Sequence, residues 1–411
     1  MSTNYYFVEP LDVLMVRGNK SFGGDGQHGE AVMPPWPSLF AGAFRSALLG
    51  NDAQMLSRFV AVGTDKALSN EARNSQMRNV LGDALFAALG TPTEPGDFRV
   101  TWLSLALGTH DASSMGNVPS RIAAIMPLPA DLTAFDEKGI PPMVALQPVP
   151  SPHGNLASGE LPLTALLRIG KQVKPASGRW LDGTGMTRHL AGTLPTDAFK
   201  TEALFKRETR LGIALDSQSG TAQDRALYTT EAVSFCAGAG FLVGIEGDHG
   251  QLPNAGLLRL GGDGKGARYY HQKDYAPSVA PQIFPGCGFR LILATPGIFT
   301  EGWLPERVTR QSDGSYRLNG DGLNGDGFSA RLVCAAVGRN DVISGWDLAH
   351  WQPKTAQRVA PAGSVYWFDE LAGDAGKLAA WVNQGLWGEH PDRQRRAKGF
   401  NQARLTTWQN N

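Results

Sequence analysis

Glycine and proline punctuate this chain throughout: 50 glycines and 26 prolines occur in 411 residues, spread along the length rather than gathered in tails. Proline fixes φ and removes a backbone donor, and glycine opens conformations that other residues avoid. Such a distribution points to many turns, hairpins and irregular insertions. The 42% hydrophobic content still supplies a core, and the length allows two or three domains. No run of about 18 uninterrupted apolar residues occurs, so no membrane span is expected.

The first readable unit is strand, long loop, helix. Tyr5-Tyr6-Phe7-Val8 is aromatic and β-branched, and Leu11 to Val16 carries the strand signal past Pro10. A glycine-rich loop, Phe22 to Glu30, follows. Beyond Pro34-Pro35-Trp36-Pro37-Ser38, residues Leu39, Phe40, Ala43, Phe44, Ala47 and Leu48 share half of a helical wheel, with Arg45 on the other half. Met55 to Leu89 reads as largely helical. Prolines recur from Pro92 to Pro162, and loops with short strands are expected there. From Arg210 the chain turns strand-rich. Tyr316 to Leu318 and Phe328 to Val337 read as a hairpin around two Asn-Gly-Asp-Gly turns, Ser364 to Phe368 as a strand, and Lys377 to Asn383 as a helix. The basic C-terminal residues Arg393, Arg395, Arg396 and Lys398 read as a solvated end.

Lysine plus arginine equals aspartate plus glutamate at 38 each, which argues against a protein that coats long nucleic acid. A local basic stretch from Lys171 to Arg210 remains, compatible with a grip on a few phosphates or with a solvated face. The three cysteines are far apart, so neither a disulfide framework nor a cysteine zinc site is expected, and a cytoplasmic location fits. Gly24-x-Gly26-x-x-Gly29 and Gly320-x-Gly322-x-x-Gly325 match a dinucleotide fingerprint. Neither sits between a strand and an immediate helix, so turn chemistry is the better reading. No cofactor, no metal site and no catalytic residue is expected. His28, in a loop whose amides can approach a phosphate, is the best general-base candidate for metal-independent RNA cleavage.

An ordered series of motifs resembles the third-subunit family of the Cmr (type III-B) CRISPR module, in the RAMP (repeat-associated mysterious protein) superfamily. It opens with Glu9-Pro10-Leu11-Asp12-Val13-Leu14, Arg17, the Gly23 to Gly29 loop and Pro34 to Arg45. It continues through Arg210-Leu211-Gly212-Ile213-Ala214-Leu215-Asp216, Leu260-Gly261-Gly262-Asp263-Gly264, Ala294-Thr295-Pro296-Gly297 and Gly302-Trp303-Leu304-Pro305. Ala336-Val337-Gly338-Arg339, Gly345-Trp346-Asp347-Leu348 and Pro361 to Tyr366 complete it.

The resemblance implies an α+β chain of two ferredoxin-like, RRM-related domains with loop-rich insertions. We set them at 1–205, with an insertion around 51–190, and 206–411. It also implies a non-catalytic subunit that holds the 5′ tag of the CRISPR RNA (crRNA) and meets the large polymerase/cyclase-like subunit and a backbone RAMP subunit. For the RNA contact we select Arg17, Lys20, Gly24, Gly26, His28 and Arg45 around the first loop, Arg179, Arg188 and Arg207 from the basic stretch, and Gly338, Arg339 and Trp346 from the late loop. Arginines grip phosphates, glycine loops expose amide donors, and aromatics stack on splayed bases. Each has a plainer reading: an ion pair for Arg45, a core or interface position for Trp346, turn glycines with positive φ for Gly24, Gly26 and Gly338. The rival functions are an endoribonuclease with His28 as general base and a structural protein without RNA contact.

Overall fold

The computed structural model describes residues 2–16, 18, 28–50, 52, 54–109, 119–150, 160–277, 287–320, 327–347 and 352–408. It is a mixed α/β chain with several antiparallel sheets and, among the described residues, seven α-helices. The chain divides into two compact units, one of Met1–Ile122, Thr201–Tyr275 and Val342–Gln357, the other of Ala123–Lys200, Ala276–Asp341 and Arg358–Asn411. Both units are discontinuous, whereas the sequence suggests one cut after residue 205. Texture changes mark where strands begin; they do not mark which strands pair.

In the first unit the strand Asn4–Pro10 lies between Ala239–Glu246 and Gly266–His271, antiparallel to both. Ala239–Glu246 pairs in turn with Arg99–Thr109, and Gly266–His271 with Ala255–Arg259. The helix Pro37–Leu49 covers one face of this sheet. Pro37 opens it with a φ suited to the first turn, and Phe40, Phe44 and Leu48, four residues apart, are buried along one side. The Phe40 ring meets Phe241 at 4.8 Å, and Phe44 meets Tyr6 at 5.5 Å and Tyr269 at 5.3 Å. Each such ring contributes roughly 1.5–3 kcal/mol by leaving water. Three helices, Met55–Thr64, Asn70–Leu81 and Asp83–Leu89, follow as the sequence suggests.

Two local expectations fail. The strand ends at Pro10, and of Leu11 to Val16 only Leu14 makes a bridge, to Val233. The proline-rich region also contains the 11-residue strand Arg99–Thr109, where loops and short strands are expected. Its own residues include no proline, and Val100, Leu103, Leu105 and Ala106 are buried. Burial of a mostly apolar run overrides the surrounding punctuation.

The main sheet of the second unit runs Val308–Arg310, Tyr316–Asn319, Phe328–Ala336, Val365–Gly373, Gly288–Leu293, Ala403–Trp408, with every neighbour antiparallel. The helix Ala375–Asn383 packs Leu378, Trp381 and Val382 into the core with Phe289, Phe328 and Phe368. Asp374 caps it by accepting from the Gly376 and Lys377 amides. The C-terminal basic segment is not wholly solvated: Arg395 is buried, its guanidinium 5.7 Å from the centre of the Phe400 ring.

The second unit also buries a charged network. Asp131 accepts from His189 Nε2 at 2.9 Å and from Arg290 Nη1 at 2.6 Å, and Arg290 Nη2 donates to the His189 carbonyl at 3.1 Å. Burial alone would raise the Asp131 carboxyl pKa. The bond and charge of His189 and those of Arg290 outweigh it and hold Asp131 below the ordinary range.

Candidate nucleic-acid interface

A ribbon of two long strands, Phe205–Leu215 and Ala222–Phe235, belongs to the first unit and pairs in register from Phe205 opposite Phe235 to Ile213 opposite Leu227. Both ends of the glycine-rich loop are tied to its second strand. On the entry side, Leu14 and Val233 exchange backbone hydrogen bonds of 2.8 and 2.9 Å. On the exit side, the short strand His28–Gly29 runs parallel to Thr229–Thr230. Just beyond, Glu231 Oε2 accepts from the Ala31 amide at 3.0 Å, and Arg207 Nη1 donates to the Ala31 carbonyl at 2.8 Å and to Glu231 Oε2 at 3.0 Å. Arg207 and Glu231 thus grip both backbone groups of one residue at the loop exit.

A third segment supports the entry side. The Gly262 amide donates to the Met15 carbonyl at 2.8 Å. Gly261 has φ +84, and a Cβ there would lie 2.5 Å from the Met15 oxygen, so the close approach requires glycine. Lys265 pairs with Asp12, whose carboxyl pKa is lowered chiefly by that bond. The carboxylate beside the loop entry is therefore held ionised and is poorly suited to donate a proton.

The ribbon presents unusual apolar surface. Leu211, Ile213 and Leu215 alternate along one strand and so share a face with Leu227, and these four are 68%, 45%, 58% and 50% exposed. On the other face Tyr228 lies across Gly212, where a Cβ would come within 2.4 Å of the ring.

The selected residues fall in both units. Arg17, Lys20, Gly24 and Gly26 lie outside the described residues. His28 is placed by its strand, and Trp346 by the strand Trp346–Asp347 paired with Gln352–Pro353; their side chains lie outside the described part. Arg207 stands at the loop exit. Arg45 points inward, contrary to its place on the polar half of the wheel: it is half-buried and donates to the Leu89 carbonyl at 3.0 Å. Burial lowers its guanidinium pKa. The helix Asp83–Leu89 supplies that carbonyl at its C-terminal end, which a wheel drawn on one helix does not register.

Arg179, Arg188, Gly338 and Arg339 belong to the second unit. Arg179 bonds to Asp136 with only 10% of its side chain exposed, whereas Arg188 and Arg339 are exposed with no ion partner among the described residues. Gly338 does not adopt the positive φ that its alternative reading as a turn glycine requires; the Pro361 ring lies 3.1 Å from the position of a Cβ. Sequence reading missed Glu231, Asp12 and Lys265. Spacing could not have joined Arg207 to Glu231, but the two strands of a recognised hairpin could have.

Two solved chains of a type III-B Cmr-beta assembly are similar to this one over 98% of its length and 99% of theirs. One, in a complex bound to cognate target RNA and AMPPnP, has 13% identity and a TM-score of 0.46. The other, bound to cognate target RNA, has 14% identity and a TM-score of 0.45. No curated protein matches the chain. The family model for CRISPR-associated protein Cas_Cmr3 matches residues 6–408, nearly the whole sequence, and the chain belongs to that family.

Proposed function

We propose that this chain is a non-catalytic RNA-binding subunit of a type III-B CRISPR effector, holding the 5′ repeat-derived tag of crRNA and bridging the large polymerase/cyclase-like subunit to a backbone RAMP subunit. The observation that carries this reading, in a chain of this family, is the anchored glycine loop. Its entry and exit are both fastened to the ribbon, through Leu14–Val233 and through Ala31 between Arg207 and Glu231. A glycine loop offers amide donors to phosphates, and anchoring its ends reduces the ordering cost of binding. The exposed ribbon leucines add apolar surface on which bases can rest.

The strand orders support the ferredoxin-like reading of both units. With strands numbered Asn4–Pro10, Arg99–Thr109, Ala239–Glu246 and Gly266–His271, the first sheet runs second, third, first, fourth. With Gly288–Leu293, Phe328–Ala336, Val365–Gly373 and Ala403–Trp408, the second sheet runs the same way. A helix follows the first strand in one unit and the third strand in the other.

Photo-crosslinking from tag nucleotides within the assembled complex tests the function. Crosslinks to peptides spanning 17–31 or the ribbon are expected, and their absence refutes RNA contact. Incubation of the purified chain with precursor RNA in EDTA tests the non-catalytic part: specific cleavage lost in His28→Ala would overturn it.

A further inference from the structure

The sheet of the first unit ends at Ala255–Arg259, and the hydrogen-bonding register fixes which groups that edge turns outward. The His271 amide donates to the Asn254 carbonyl at 2.6 Å, and the Leu260 amide to the Lys265 carbonyl at 2.8 Å. Residues 254 and 260 are thus hydrogen-bonded positions opposite 271 and 265. In an antiparallel ladder such positions recur every second residue, so Gly256 and Leu258 also point their amides and carbonyls inward. Those of Ala255, Leu257 and Arg259 point away, and none has a partner among the described residues. The strand contains neither proline nor bulge, two of the devices that blunt an edge.

The side chains indicate what fits. Leu258 is buried on the helix-covered face, and Tyr269 lies across Gly256 on the same side. On the opposite face Leu257 is 68% exposed, with exposed Arg259 beside it and Arg268 directly across in register. Glu9 stands opposite Arg268 on the far side, but no described acid pairs with Arg259. An open row of backbone groups flanked by two guanidiniums around one apolar side chain fits an extended segment with acidic side chains on one face.

We propose that Ala255–Arg259 is a docking edge for an acidic β-strand of another protein subunit, which adds to the sheet antiparallel or parallel through the outward groups of 255, 257 and 259. Arg259 and Arg268 select for acidic residues on the added strand, and Leu257 packs against an apolar one. The turn that follows this strand supports the loop entry, so the two readings are told apart by assay: exchange at 257 and 259 reports the edge, and tag crosslinks report the loop.

The test is hydrogen–deuterium exchange at residue level, comparing the isolated chain with the purified effector complex. The Leu257 and Arg259 amides are expected to slow by roughly fivefold or more on assembly, while Leu258, already bonded inward, changes little. Equal rates at 257 and 259 in both states overturn the proposal. Slowing in the isolated chain that grows with its concentration also overturns it, since the occupant is then a second copy. In a paired experiment, Leu257→Pro removes an outward amide and the apolar side chain beside it while sparing the inward bonds, and is expected to lower co-purification with the complex, as is the double variant Arg259→Glu/Arg268→Glu. Parental incorporation of the charge-reversed chain would refute an acidic partner. Tag crosslinking in any residual complex should persist.

Discussion

Replacing Asp131 by asparagine removes the only described carboxylate facing two buried basic side chains. The parent places Asp131 at 1% side-chain exposure, His189 at 5% and Arg290 at 10%, with the Arg290 Nε already buried and without a hydrogen-bond partner among the described residues. An asparagine preserves the shape and one acceptor but leaves the Arg290 guanidinium without its counter-charge. Breaking a buried pair from one side costs about 3–5 kcal/mol. For a domain of roughly 150–250 residues, each kcal/mol moves Tm by about 2–4 °C, so a fall on the order of 6–20 °C is expected. Thermal unfolding of the isolated chain at pH 7, followed by near-UV circular dichroism, measures it.

The pH dependence gives a second reading of the same group. The folded-state pKa of Asp131 lies below its unfolded value of about 3.9, so the unfolded chain binds more protons in that window. The stabilisation is therefore complete above the unfolded pKa and is lost as pH falls through the folded one. The parent should lose more stability than Asp131→Asn over that acidic range. The double variant Asp131→Asn/Arg290→Met should recover part of the loss, because no unpaired cation remains. A Tm within 2 °C of the parent for the single variant would refute the reasoning.

Four further outcomes are expected. Cys334 is buried with its thiol pushed up to about 12, so at pH 8 it should resist alkylation in the folded chain while exposed Cys287 reacts, as read by mass spectrometry of modified peptides. Asp374→Ala removes the cap of the Ala375–Asn383 helix and should cost about 1 kcal/mol in denaturant unfolding. Gly261→Ala forces a Cβ toward the Met15 carbonyl at φ +84 and should cost more than about 1 kcal/mol while weakening tag crosslinks from the first loop. Arg207→Ala should reduce those crosslinks and raise proteolysis between residues 17 and 31; Arg207→Lys, with a single point charge, should rescue only part.

The sequence by itself settled what local chemistry controls. Proline before Leu39 and apolar residues four apart fixed the helix Pro37–Leu49. The two strand signals gave the pairing of Tyr316–Asn319 with Phe328–Ala336, although turn residues 321–326 between them lie outside the described residues, and an ordered series of motifs led to the family. Arg207 was selected from local charge, but its partners Ala31 and Glu231 lie 176 and 24 residues away. Tertiary structure alone joined Asp131, His189 and Arg290, ended the first strand at Pro10, turned Arg45 inward, and interleaved three segments in each unit. Propensity and periodicity act over a few residues, whereas strand pairing and the burial of charge depend on which distant segments exclude water together. Sequence spacing does not encode that choice.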